Sequence, residues 1–478
     1  MLFGTRFIAG TLEAIKQRHM KKVKFLSIFF FTILYSNAFC QDIQKIDSLF
    51  QEMHNEDSFN GNVLISKKGE IIFKKSYGFS VEGKKPLTDN SIFNLASITK
   101  QFTAAGIILL ARDGKLTYED DIRSYIPELS FYPKITIRNL LNHTSGLYDY
   151  MKLTDSLLIQ KDPKIELNNQ KVIDLFKENK PKLNFLPNKK YEYSNTGYLL
   201  LATIIERVSK ESYSDYLKNI IFDPLKMNNT KVLFRYITSV NIENLTTGYQ
   251  ENEKNELADA ILVTPEIYNY DGVKGQGRLY STTIDLNKWS NAISNNFFSK
   301  YELNKISAKS KTTKNEQINY GFGWFITYDL VNGKSIYHSG SWPGYVTYIE
   351  KNFKKDITVI ISQNVSTSKT GIPTYSLRNI LYHKKKIALE ENYLKSLAGE
   401  CKTRDGRTKQ IVIKNDKLYA VVNPSFQLEL IPITKTIFEV KEFSPKVNFE
   451  FIIENDSVKG YKFYQLDLGK EAELTKVE

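Results

Sequence analysis

Phe93-Asn94-Leu95-Ala96-Ser97-Ile98-Thr99-Lys100-Gln101-Phe102 carries the chain from a short apolar run into a helix. Phe102, Ala105, Ile108 and Leu109 recur at helical spacing and Gly114 supplies a stop, so a helix is expected over Ser97 to Arg112. Ser97 and Lys100, three apart at its start, share one face. A lysine amine can take a serine proton when burial lowers its pKa, and a helix N-terminus favours developing negative charge. Spacing alone says little. Ser366-Thr367-Ser368-Lys369 repeats it, and such a tetrapeptide is usually a solvated surface pair.

Outward from this stretch, Gly61–Lys67 and Glu70–Ser76 flank Lys68-Gly69 and read as a β-hairpin. Leu199 to Val208 and Tyr213 to Ile220 read as further helices. Gly344–Ile349 and Ile357–Ile361 are rich in β-branched and aromatic residues and read as strands. Two more short segments carry chemistry. In Tyr193-Ser194-Asn195 a phenol beside a cation can act as base and then acid, and Asn195 can orient the lysine and a substrate amide; an ordinary turn before the helix at Leu199 is the bland alternative. His338-Ser339-Gly340-Ser341 precedes Trp342-Pro343-Gly344 and a strand pair; a glycine on an edge strand lets a substrate backbone approach closely. Lys369-Thr370-Gly371 competes for this third place and is rejected, because it follows the strand pair in a loop leading to a helix near Tyr375.

Other chemistries lack their motifs. There is no GxGxxG, no phosphate loop, no HExxH and no GxSxG. The five histidines, His19, His54, His143, His338 and His383, show no metal-ligand spacing, and two cysteines cannot build a cysteine zinc site. No cofactor and no metal are expected.

The three segments in this order resemble the serine β-lactamase-related family of class C β-lactamases, D-alanyl-D-alanine carboxypeptidases and esterases: SxxK, then YxN, then (K/H)-(S/T)-G. Leu140-Leu141-Asn142-His143-Thr144-Ser145-Gly146-Leu147, Gly275–Thr282 and Tyr320-Gly321-Phe322-Gly323-Trp324 look like its supporting stretches, and the likeness covers roughly 45–385. The resemblance implies an α+β fold, an antiparallel sheet flanked by helices with an all-α region. It also implies an acyl-enzyme serine hydrolase for an amide or ester: a D-amino-acid peptide, an ester or, less favoured, a β-lactam. A low-turnover penicillin-binding or peptidoglycan-fragment-sensing protein is the alternative. By resemblance Ser97 is the nucleophile, Lys100 its activator, Tyr193 the general base and acid, and Asn195 a positioning group. The N–H groups of Ser97 and Ser341 would form the oxyanion hole, and His338, Ser339, Gly340 and Ser341 would bind substrate. His338 stands where β-lactamases carry lysine, so it is expected to read substrate charge, titrating near the ordinary histidine pKa. His143 and Ser145 are read as structural.

The 478 residues carry a net charge of +13, of which residues 1–40 hold six Lys/Arg and one acid. The remaining surplus is mild and no basic block interleaves with aromatics, so a small-molecule or peptide substrate is expected and nucleic acid is not. Met20-Lys21-Lys22-Val23-Lys24 followed by Phe25–Tyr35 reads as a secretory signal starting at Met20, with Ala38 and Cys40 before the cleavage point. A periplasmic or secreted protein, not integral to the membrane once the signal is removed, is expected; lipid anchoring at Cys40 ranks second because Phe39 precedes it. The expected divisions are 1–40 leader, 41–390 hydrolase and 391–478 a small lipocalin-like β domain, barrel or sandwich. Its strands are Gln410–Ile413, Lys417–Val422, Gln427–Ile431, Ile437–Val440, Phe449–Ile453 and Gly460–Tyr464.

Overall fold

The computed structural model describes residues 41–81, 84–236, 242–329, 331–382, 387–403, 406, 408–423, 426–441, 447–455, 457–465 and 470–476. The expected leader, Cys40 and His383 lie outside them. The hairpin forms as the sequence dictates: β1 (Gly61–Lys67) and β2 (Glu70–Tyr77) meet at Lys68 and Gly69, both with positive φ, as a tight two-residue turn requires. Four later strands, β3 (Phe325–Asp329), β4 (Gly333–Trp342), β5 (Tyr345–Asn352) and β6 (Ile357–Gln363), join it in a six-stranded antiparallel sheet ordered β3-β4-β5-β6-β1-β2.

Alternation along the strands sorts side chains to two cores. Val63, Ile65, Val359 and Ile361 face helix α1 (41–55) and the helix before residue 382, where Ile46, Phe50 and Leu377 are buried. Leu64, Ile349 and Ile360 face the other way, into the core of the helical region. That region lies between β2 and β3 in sequence. Helix α2 (Thr99–Arg112) is buried on all sides from Thr99 to Leu110, so it runs through the centre of this core. Helix α3 (Asn195–Ser209) packs against it. Helix α4 (Thr283–Ser294) lies on the sheet, with Asn287 accepting from Ser66 at 2.7 Å and Ser290 bonded to Thr358 at 2.8 Å.

Two helix boundaries differ from the sequence reading. The Ser97 helix opens with a 3₁₀ turn over Ala96–Ile98, and α2 proper starts at Thr99. Helix α3 starts at Asn195 rather than Leu199, because the Ser194 hydroxyl caps it by accepting from Gly197 N–H at 3.1 Å. Its first turn, Asn-Thr-Gly-Tyr, carries no apolar period and so gave no signal.

From Gly399 onward eight strands form a closed antiparallel barrel in simple sequence order. The six expected strands are present as β8 (Thr408–Lys414), β9 (Lys417–Asn423), β10 (Phe426–Pro432), β11 (Ile437–Val440), β12 (Asn448–Glu454) and β13 (Ser457–Gln465). Two unforeseen strands, β7 (Gly399–Thr403) and β14 (Lys470–Lys476), pair with each other and close it. Both are mostly polar and lack β-branched alternation, which is why composition left barrel and sandwich open. Leu418, Leu430, Phe438, Phe449 and Phe451 fill the interior. Cys401 is buried there and its thiol is pushed up to about 11 by burial, which keeps it protonated and inert. Among the described residues no helix is long and apolar enough to cross a membrane, and no cluster of potential metal ligands occurs.

Helix α5 (Thr374–Leu381) is tied to the sheet by a buried clamp. Arg378 Nε donates to Oε1 and Oε2 of Glu350 on β5, at 3.3 and 3.1 Å, Nη2 donates to Oε2 at 2.9 Å, and Tyr348 OH donates to Oε2 at 2.7 Å. Burial alone would raise the Glu350 pKa; Arg378 and Tyr348 outweigh it and hold the carboxyl below its usual value. The clamp therefore contributes above the ordinary carboxylate pKa of about 4.3 and is lost as pH falls through the lower folded value. Arg378→Leu strands a buried charge and should lower stability by about 3–5 kcal/mol. Glu350→Gln added to it should restore part of the loss; thermal unfolding at neutral pH of the single and double variants checks both.

Candidate active site

The turn that presents Ser97 is held from three sides. Asn94 Oδ1 accepts from Ala96 N–H at 2.8 Å while Asn94 Nδ2 donates to Tyr280 OH at 3.0 Å. Leu95 N–H donates to Leu279 O at 2.8 Å, and Leu95 O accepts from Thr347 on β5 at 3.0 Å. Ala96 takes a left-handed φ of 45°, which turns the chain sharply into Ser97. Strand β4 passes so close that a Cβ on Gly340 would lie 2.3 Å from Leu95 O and 2.3 Å from Thr347 Oγ1. The end of β4 beyond Tyr337 is an edge, as expected. The space that Gly340 leaves is filled by the turn that presents Ser97 and by Thr347, not by a substrate backbone, which corrects that part of the sequence reading.

Beneath Ser97 lies Lys100, fully buried. Its Nζ is 3.1 Å from Ser97 Oγ, 2.8 Å from Asn195 Oδ1 and 3.0 Å from Gln276 O. Burial lowers its pKa well below 10.5. A neutral amine has two N–H bonds and one lone pair. The two carbonyl oxygens take the N–H bonds, so the lone pair is left for the Ser97 hydroxyl proton. Tyr193 lies beside this pair, its ring centroid 4.8 Å from Nζ, and Ser97 is near enough to its hydroxyl to offset part of the effect of burial. Burial raises the Tyr193 pKa, so the phenol keeps its proton. The arrangement can take a proton from Ser97 at Lys100 and deliver one from Tyr193.

His143 braces Tyr193 from behind. Its Nδ1 accepts from Ser194 N–H at 3.0 Å and its ring lies 4.3 Å from that of Tyr193. Ser145 stays within its own loop, accepting from Leu147 N–H at 3.4 Å.

Above Ser97 opens a cavity of about 250 Å³ lined by Ser97, Asn195, Ser341, Gln276, Arg278 and Trp342, and by Tyr150 and Met151. Ser97, Asn195 and Ser341 of the expected set thus meet at one cavity, with Lys100 and Tyr193 directly below. Ser339 is exposed and Gly340 packs on the turn that presents Ser97; neither lines the cavity.

His338 requires a correction. Its side chain is buried and faces Tyr320, away from the cavity. Ser339 O can only accept, so Nδ1 donates to it at 2.6 Å and Nε2 accepts from Tyr320 OH at 3.0 Å. Both nitrogens are satisfied in the neutral ring. Burial, then the neighbouring Lys100, lower its pKa to about 3. It does not titrate near the ordinary histidine value, and no charge on it faces a substrate.

Sequence reasoning did not assign Gln276, Arg278, Tyr150 or Trp342 to the site. Gln276 and Arg278 sit in a stretch quoted only as a family flank, and an arginine wedged between Gly277 and Leu279 was the available signal.

With this geometry in view, comparison with known proteins is decisive. A beta-lactamase family model matches residues 46–379. The chain belongs to the beta-lactamase family. Penicillin-binding protein 4* of Bacillus subtilis (strain 168) is 33% identical over 451 residues, covering 91% of this chain and 99% of that protein. The structure of the octameric penicillin-binding protein homologue from Pyrococcus abyssi aligns at a TM-score of 0.61 and 24% identity, over 91% of this chain and all of that one. D-amino acid amidase from Ochrobactrum anthropi SV3 aligns at 0.60 and 23% identity, over 72% of this chain and 99% of its own. This member of the beta-lactamase family is therefore a serine hydrolase on that fold, with the eight-stranded barrel following it.

One pH prediction follows from the neutral His338. The ratio of kcat/KM for an anionic ester to that for a matched neutral ester should stay flat from about pH 5.5 to 8.5, a range bracketing the ordinary histidine pKa of about 6.5. A rise in that ratio as pH falls would mean that His338 gains a proton within reach of substrate.

Proposed function

We propose that the protein cleaves an amide or ester that carries no free carboxylate, such as a D-amino-acid amide, through an acyl-enzyme on Ser97. The observation that carries this reading is the buried Lys100 amine, both of whose N–H bonds have carbonyl acceptors while its lone pair faces Ser97 Oγ. In the proposed reaction Ser97 Oγ attacks the substrate carbonyl carbon as Lys100 Nζ takes its proton. The backbone N–H groups of Ser97 and Ser341 receive the negative charge on the carbonyl oxygen. Tyr193 OH gives its proton to the departing amine or alcohol and regains one from the Lys100 ammonium. Water then attacks the ester, passes its proton through the same groups and releases the acid, restoring Ser97.

A substrate without a carboxylate is supported by electrostatics. His338 and Lys100 are held neutral by burial. Arg278 is the one permanent cation among the described residues lining the cavity, and it sits 3.9 Å from Asp271. A free carboxylate on the substrate would find no uncompensated partner there. Amide substrates also fit the kinship with a penicillin-binding protein and the shared fold of D-amino acid amidase. Export to the periplasm or medium rests on the leader sequence alone; N-terminal sequencing of the mature protein starting at Gln41 would support it.

A fluorophosphonate probe should label the peptide holding Ser97, and Ser97→Ala should abolish labelling; an adduct on Ser145, Ser339 or Ser366 instead overturns the assignment. Lys100→Met and Tyr193→Phe should each lose about 10²–10⁴-fold in ester turnover at unchanged melting temperature.

The pH dependence has a fixed sign. The Lys100 amine is neutral above its lowered pKa, so kcat/KM should be lost as pH falls through that value. It should not rise again toward 10.5, where an ordinary lysine titrates. A pH–rate profile whose main rise lies near 10 would remove Lys100 as the base.

A further inference from the structure

Trp342 directly follows Ser341 on β4, so its position is fixed relative to the expected oxyanion site. The indole is half-buried and lines the cavity. One face is covered by the Arg278 guanidinium, 4.4 Å from the ring. That guanidinium is itself anchored: Nε and Nη2 donate to Tyr270 O at 3.2 and 2.7 Å, and Nη1 lies 3.9 Å from Asp271. Arg278 is only 3% exposed. Its backbone is strained as well, at a φ of 81° that a side chain rarely adopts. The strain is held by Leu233 N–H donating to Arg278 O at 3.0 Å and by Leu279 N–H donating to Thr99 Oγ1 at 3.2 Å. A glycine at 278 would adopt this backbone without strain, so what the position gains from arginine is its side chain.

A receptor for anions would present its guanidinium to the cavity. This one is turned toward Tyr270 and Asp271 and covered by the indole. Its placement instead makes Trp342 rigid. Tyr150 and Met151, an aromatic ring and an adaptable thioether, also line the cavity, the Tyr150 hydroxyl accepting from Gln276 Nε2 at 2.9 Å. We propose that Trp342, clamped by Arg278, is the platform on which the enzyme selects an uncharged aromatic or large apolar group beside the scissile carbonyl. The flat indole receives such a group on its exposed surface, in a cavity that Ser97, Tyr150 and Met151 also line. Arg278 is a positioning residue that acts through Trp342. This inference rests on the serine hydrolase reading above and adds the substrate's side-chain class to it.

The test compares two neutral nitrophenyl esters, phenylacetate and acetate, as a ratio of kcat/KM within each variant. A ratio is independent of the fraction of protein folded, so loss of stability cannot imitate the result. The parent should favour the phenylacetate by at least about tenfold, the scale of discrimination an apolar pocket supplies. Trp342→Ala should bring the ratio close to one, and Trp342→Phe should keep part of it. Arg278→Met, similar in length but uncharged, should lower the ratio toward that of Trp342→Ala, with the loss in KM more than in kcat. An unchanged ratio in Trp342→Ala overturns the platform. A preference for a succinate monoester that disappears in Arg278→Met would show that Arg278 receives an anion, and overturns it too. Fluorophosphonate labelling of Ser97 in every variant separates these outcomes from failure of the hydrolase reading, which would show as no labelling in the parent.

Discussion

A lysine amine without water around it is the constraint on which the site depends. Lys100 has lost its hydration to the centre of the helical core, and its three neighbours are Ser97 Oγ, Asn195 Oδ1 and Gln276 O. None of the three is a carboxylate, so no opposite charge holds the proton and burial lowers the amine's pKa. The three segments that supply these neighbours are far apart in sequence. Each must be placed to a few tenths of an ångström for the amine to be satisfied when neutral. Much of the surrounding structure can be understood as that placement: the Ser194 cap that starts α3 at Asn195, the His143 brace behind Ser194, and the Thr99 hydroxyl that fixes Leu279 just after Gln276.

The same economy of charge extends to the cavity. His338 occupies a place where a lysine would put a permanent cation, yet its ring is turned inward and satisfied by Tyr320 and the Ser339 carbonyl. Arg278 is paired with Asp271 behind the wall. What remains on the cavity lining is polar or apolar, with Arg278 the one charged side chain among the described residues that line it.

Most of the architecture was legible from local sequence. The hairpin at Lys68-Gly69, the run from Ser97 to Arg112 and six barrel strands each carry a strong local signal, a turn that needs positive φ, a helical stop or a β-branched alternation. The misses have physical causes. Asn195 opens a helix through a serine cap and carries no apolar period. The strands Gly399–Thr403 and Lys470–Lys476 are polar and gain their conformation by pairing with each other at the seam of the barrel, an interaction between residues some seventy apart.

The sequence by itself determined the order of the three motifs and hence the family, the types of group available for chemistry, and the absence of motifs for metal or nucleotide chemistry. Tertiary structure decided which way each group faces. His338 and Trp342 are four residues apart on one strand, yet one is sealed against Tyr320 and the other lines the cavity. Arg278 looks from its sequence like a free cation and is instead held by a backbone carbonyl and covered by an indole. Side-chain direction, burial and the charge that a group carries depend on neighbours brought together only by folding, and those neighbours are what convert a list of residue types into a site with a preference.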